Sequence, residues 1–198
     1  MRLDITHQDS YSRGELLLRT FFGWLYIGIP HGFLLFFMGI WSAILGFITF
    51  WIVLFTGNFP QSIFEYQYNL MRWNLRFNAT LFNLVDGYPS FGLKGTSDKV
   101  TFELQRPEKV SQGLVLLRAL FGWLYVMIPH GFCLVFRMIG SYVLMFLAWW
   151  AVLFTGKYPA KWHAFNVGTL RWVQRVNLYL GFFTDEYPPF TGKERGAA

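Results

Sequence analysis

The stretch that decides the fold runs from Leu16 to Phe55, LLLRTFFGWLYIGIPHGFLLFFMGIWSAILGFITFWIVLF, and its one charge, Arg19, stands near its start. As helix it would extend ~60 Å at 1.5 Å per residue, against ~30 Å of bilayer hydrocarbon. A run of that length supplies two spans, which predicts a transmembrane hairpin over residues 16–56. A matching run from Leu114 to Phe154 predicts a second over residues 114–155, with Arg118 at its start and Arg137 near its middle. Arg137 stands where the first run has Met38. A charge at mid-bilayer costs a few kcal/mol, so Arg137 is expected at a hairpin tip. The turns are therefore expected near Phe37–Trp41 and Phe136–Gly140, with Gly39 and Gly140 inside them.

The two runs belong to a larger repeat. Shifted by 99 residues, the chain aligns with itself without a gap, and close to half of positions 17–91 are identical to their partners. RTFFGWLYIGIPHGF (Arg19 to Phe33) matches RALFGWLYVMIPHGF (Arg118 to Phe132), and WIVLFTGNFP (Trp51 to Pro60) matches WAVLFTGKYP (Trp150 to Pro159). RWNLRFN (Arg72 to Asn78) matches RWVQRVN (Arg171 to Asn177), and DGYPSF (Asp86 to Phe91) matches DEYPPF (Asp185 to Phe190). Such self-similarity marks a tandem duplication with units 1–99 and 100–198. Before each apolar run, Arg2 to Thr6 and Thr101 to Gln105 alternate polar and apolar residues, a strand signal.

Gly57 and Gly156 read as helix C-caps, and Pro60 and Pro159 suit the first turn of a new helix. Residues 60–85 and 159–184 then alternate broad apolar and polar faces, too polar to span and too aromatic for free water. They are expected to lie in the membrane interface. The fold class is thus an all-α membrane protein: four transmembrane helices in two tandem hairpins, each followed by an interfacial amphipathic helix.

Composition agrees with that class. The 198 residues are 54% hydrophobic and 21% aromatic, and only 14% are charged, against ~25% in soluble chains. The net charge of +6 would suit nucleic acid in a soluble protein, but these cations flank apolar runs, which makes phospholipid headgroups the expected partner. Arg13, Arg19, Arg72, Arg76, Arg106, Lys109, Arg118, Lys157, Lys161, Arg171 and Arg175 lie at the open ends of the expected hairpins, which by the positive-inside rule places both termini and the central linker in the cytoplasm. The N-terminus lacks the layout of a cleaved signal peptide, so the first run reads as a retained anchor. Cys133 is the single cysteine and forms no intrachain disulfide.

Two constellations are candidate sites. Pro30-His31-Gly32 and Pro129-His130-Gly131 break the first span of each unit, freeing the carbonyls of Tyr26 and Tyr125. The plain reading is a packing kink whose histidine satisfies backbone or a neighbouring helix. The alternatives are haem or metal held by His31 and His130 across the repeat axis, or a proton- or substrate-handling role. Arg72-Trp73-x-x-Arg76 recurs as Arg171-Trp172-x-x-Arg175, with both arginines on one helix face. These residues could grip a lipid phosphate beside an anchoring indole, or pair internally with Asp86 and Asp185. Tyr88-Pro89 and Tyr187-Pro188 look like turn anchors. No nucleophile–base pair, glycine-rich phosphate loop or metal-spaced cluster appears, so no catalytic residue and no cofactor are expected.

At the I-P-H, L-F-T-G-x-(Y/F)-P and R-W-x-x-R segments, the chain resembles a bacterial domain-of-unknown-function family, the one numbered four-three-eight-nine. Repeat one departs from it with Asn58-Phe59 where repeat two has Lys157-Tyr158. The resemblance implies a bacterial inner-membrane protein and supplies no activity. The function expected is therefore a non-enzymatic accessory or scaffold subunit that binds lipid and other membrane subunits. A small transporter or channel is the first alternative and a haem- or pigment-binding subunit the second.

Overall fold

A computed structural model describes residues 1–194. Each half contributes one strand, one long helix and one shorter helix in the same order. In the first half these are β1 (Arg2–Ile5), α1 (Arg13–Thr56) and α2 (Gln61–Leu81). In the second they are β2 (Val100–Glu103), α3 (Gln112–Thr155) and α4 (Ala160–Leu180).

The expected hairpin turns are absent. Residues 37–41 and 136–140 lie inside unbroken helix, so each half has one 44-residue helix where two antiparallel spans were expected. Glycine alone weakens a helix by only ~1 kcal/mol, and neither stretch carries a proline or a polar turn sequence. Arg137, which suggested a tip, turns inward instead. Its Nε donates to Thr169 Oγ1 at 3.0 Å, another guanidinium nitrogen donates to the Phe165 carbonyl, and the group lies 4.4 Å over the Phe165 ring.

The glycine C-caps are those the sequence announces, and two serines cap the other ends. Ser12 and Ser111 accept from the backbone N–H groups of Glu15 and Leu114 at the starts of α1 and α3. Gly57 and Gly156 close these helices with φ of 68° and 72°, the left-handed region that glycine adopts at no steric cost. Pro60 and Pro159 stand at the N-cap positions of α2 and α4.

β1 and β2 pair antiparallel, with Leu3 opposite Phe102. Those two residues are 99 apart, so each is the other's counterpart, and a pseudo-two-fold axis passes through the pair. The bonds at the ends of the long helices obey the same axis. Tyr11 N–H donates to the Gly156 carbonyl and Val110 N–H to the Gly57 carbonyl, each at 2.8 Å. The start of each long helix therefore meets the end of the other, and the two run antiparallel.

The molecule is layered along this axis. The sheet packs on α2 and α4: Tyr68 Oη donates to the Phe102 carbonyl and Arg171 Nε to the Leu3 carbonyl, both at 2.9 Å. Those helices pack in turn on the long ones, where Tyr66 donates to the Met38 carbonyl and Gln67 bonds Ser42. α2 and α4 thus form the middle layer, between the sheet and the long helices. Leu3, Phe59, Leu84, Val53, Val115 and Val152 anchor the main core. On the long helices only a narrow stripe is buried, at Leu16, Arg19, Gly23, Ile27, His31, Thr49 and Val53 in the first, while much of the remainder is exposed and apolar from Leu17 to Phe55.

Candidate functional site

The helix breaks are the most built part of the molecule. Because Pro30 has no N–H, the preceding five residues, Trp24–Gly28, widen into a π-helical turn in which Ile29 N–H reaches the Trp24 carbonyl. Trp123–Met127 does the same before Pro129. The freed carbonyls are not bonded by the adjacent histidines. Tyr88 Oη reaches the Tyr26 carbonyl at 3.4 Å, and Tyr187 Oη donates to the Tyr125 carbonyl at 3.0 Å. The tyrosines of the D-x-Y-P segments therefore cap the breaks.

His31 is fully buried and links this cap to the middle layer. Trp73 Nε1 donates to His31 Nδ1 at 2.9 Å, and His31 Nε2 lies 3.0 Å from Tyr88 Oη. Indole is only a donor, so Nδ1 is the unprotonated nitrogen and Nε2 carries the hydrogen. The chain is then directional: Trp73 N–H to Nδ1, Nε2–H to Tyr88 oxygen, Tyr88 O–H to the Tyr26 carbonyl. Every member is satisfied and neutral. The ring is walled by Phe77 and Phe91 at 5.7 and 4.6 Å.

The second half repeats this arrangement with one difference. Trp172 Nε1 donates to His130 Nδ1 at 2.9 Å, and Phe190 stacks on the imidazole at 4.0 Å. His130 Nε2 is buried without a hydrogen-bond partner. The ring contacts of His31 stay within repeat one, and those of His130 within repeat two. In this geometry neither Nδ1 has a free lone pair, and Nε2 bears a proton in the matching tautomer. Among the described residues no cluster of three or more His, Cys, Asp or Glu has metal-binding geometry.

The arginine motif is likewise drawn inside. Arg76 donates to the Ser90 and Gly92 carbonyls, Arg175 to the Thr191 carbonyl, and Arg171 to those of Leu3 and Gly192. Arg76, Arg171 and Arg175 are buried, and so are Trp73 and Trp172. Burial holds the Arg76 guanidinium down to about 10. Of the six residues in the motif pair only Arg72 reaches the surface, near the Tyr68 ring. In α2 and α4 the two arginines of each motif stand one helical turn apart. Arg76 and Arg175 meet the turns that end their own halves and Arg171 meets β1 as well, so the chain's own carbonyls stand where a phosphate was expected.

Asp86 and Asp185 do not pair with these arginines either. Asp86 pairs with Arg19 at 2.8 Å, and Asp185 pairs with Arg118. The second oxygen of each carboxylate accepts the backbone N–H of the helix N-cap, Ser12 or Ser111, at 2.6 and 2.7 Å. Arg19 also bonds Asn83, Glu15 and the Val85 carbonyl, so one guanidinium ties the start of α1 to the end of α2. The pairing was legible only in that all four residues recur at the 99-residue offset.

A further polar cluster had no sequence signal. His7 Nε2 donates to the Tyr158 carbonyl at 2.7 Å, and buried His163 donates to the Leu84 carbonyl at 3.0 Å, with the two rings 5.1 Å apart. The counterparts of His7, Tyr158 and His163 are Arg106, Phe59 and Phe64, so the repeat gave no cue. Arg106 makes the equivalent bond, to the Phe59 carbonyl at 3.0 Å.

Fold and site together define a mostly helical protein whose two long helices are long and apolar enough to cross a membrane. Only 6% and 17% of their most apolar windows are buried, unlike the core helix of a soluble protein. Residues 115–192, most of the second repeat, match a family model described as a domain of unknown function, DUF4389. No curated protein and no solved structure matches the chain.

Proposed function

We propose that the chain is a non-enzymatic membrane-embedded scaffold or accessory subunit of the bacterial inner membrane, formed from two tandem copies of the DUF4389 unit. The observation that carries this reading is the contrast between inside and outside. The recurring polar motifs close on one another within the core, whereas the long helices turn Phe22, Phe33, Phe37, Phe47 and Phe55 outward. An exposed apolar surface of that extent on a rigid frame serves contact with lipid and partner subunits.

Extraction from native membranes into nanodiscs without prior detergent tests it. A stoichiometric co-purifying membrane protein is the expected result. A chain recovered with lipid alone would overturn the subunit role. Release by alkaline carbonate would overturn membrane embedding.

A further inference from the structure

We infer, building on the membrane-embedded reading, that the two long helices lie flat within one leaflet, with the pseudo-two-fold axis along the membrane normal and the sheet facing water.

Length is the first argument. Each long helix has 44 residues, ~66 Å of contour, and exposes large apolar side chains from its first turns (Leu17, Phe21) to its last (Phe55). Crossing ~30 Å of hydrocarbon with that whole length immersed needs a tilt of ~60°, whereas membrane helices tilt by up to ~40°. At such tilts roughly a third or more of the apolar face would stand in water. Laid flat, all of it is immersed. A helix ~10 Å across fits the ~15 Å of one leaflet's hydrocarbon.

Symmetry is the second and independent argument. A two-fold axis that exchanges two antiparallel helices must be perpendicular to them. If the long helices crossed the membrane, the axis would lie in the membrane plane, and the Leu3–Phe102 pair would sit at mid-bilayer depth. A two-stranded sheet has two unpaired edges, and lipid-exposed sheet edges do not occur in hydrocarbon. The Arg2 and Asp4 side chains beside the axis are 62% and 50% exposed, so charges would face the bilayer centre. With the axis along the normal, the sheet occupies the pole opposite the long helices and these charges meet water. The segments flanking the long helices then turn toward the headgroups, where Arg13, Lys109, Lys157 and Lys161 are exposed to anionic lipid.

Spin labels read the depth directly. In a Cys133→Ser background, single cysteines replace Phe22, Phe37 and Phe47, which are exposed, so the fold is not disturbed. The protein is reconstituted in phosphatidylethanolamine–phosphatidylglycerol vesicles, and depth is taken from oxygen against nickel-chelate accessibility. Similar depths at all three sites, none past the midplane, are expected. Phe22 and Phe47 near opposite surfaces with Phe37 between them would overturn the flat arrangement and leave membrane embedding standing. Water-like accessibility at all three sites would overturn membrane embedding itself.

Discussion

Arg19 and Asp86 show how this chain keeps charge beneath an apolar exterior. The Arg19 side chain is 4% exposed, and its hydrogen bonds all go to groups of its own half. Removing one partner of a buried pair strands the other, so Arg19→Met or Arg118→Met should destabilise by about 3 kcal/mol, read as a drop in melting temperature in detergent. The histidine clasp makes a second prediction. Tyr88→Phe deprives the Tyr26 carbonyl of its donor and should cost roughly 1–3 kcal/mol, whereas Gly32→Ala, with nothing within 4 Å of an added Cβ, should be neutral or slightly stabilising. Nitrogen NMR should find His31 as the Nε2–H tautomer, and Trp73→Phe should release that preference. His163 carries part of the pH dependence. Burial holds its pKa below the ordinary value, with the neighbouring His7 adding to the effect and the Leu84 carbonyl and Asp4 opposing it. The unfolded chain then binds this proton more readily than the folded one, so the contribution to stability is complete above about pH 6.5 and is lost as the pH falls below it. His163→Phe, the residue type at the equivalent Phe64, should flatten that acid-side loss in thermal melts at pH 5 and 7.5.

At the scale of the elements, the sequence disclosed the strands, the caps, the glycine-closed helix ends and the proline breaks, because each has a local physical cause. It misled wherever a local pattern had two tertiary resolutions. A long apolar run with an arginine at its centre fits a hairpin tip as well as it fits a continuous helix whose arginine turns inward onto Thr169 and Phe165. Arg137→Met, the residue of the other repeat, should therefore leave the helix intact, with unchanged helical circular dichroism. The R-W-x-x-R face was legible as a face, but its cover was not. The carbonyls that hold Arg76 and Arg175 lie 14 to 16 residues downstream in irregular backbone, where no periodicity reports them. Gly57→Ala tests the caps: with φ at 68° an alanine is strained, and a cost of about 1 kcal/mol is expected.

At the scale of the whole molecule, one two-fold axis relates the strand pair and the bonds at the ends of the long helices. The halves are interlocked more than adjacent. His7 and Tyr11 of the first arm bond to the end of α3, and Arg106 and Val110 of the second arm bond to the end of α1. A chain broken after the exposed Lys94 and co-expressed as two pieces should reassemble and co-purify, because the contacts across the axis hold it without the covalent link. Two pieces that fold and purify separately would show the interlock to be weak.

The exchanged arms also set a timetable for biosynthesis. When a ribosome has delivered the first half, the carbonyl of Gly57 still awaits Val110, and Tyr11 awaits Gly156, a residue not yet translated. The nascent first half therefore emerges with both ends of its long helix still lacking their partners. It can complete its fold only once nearly four-fifths of the polypeptide has been made.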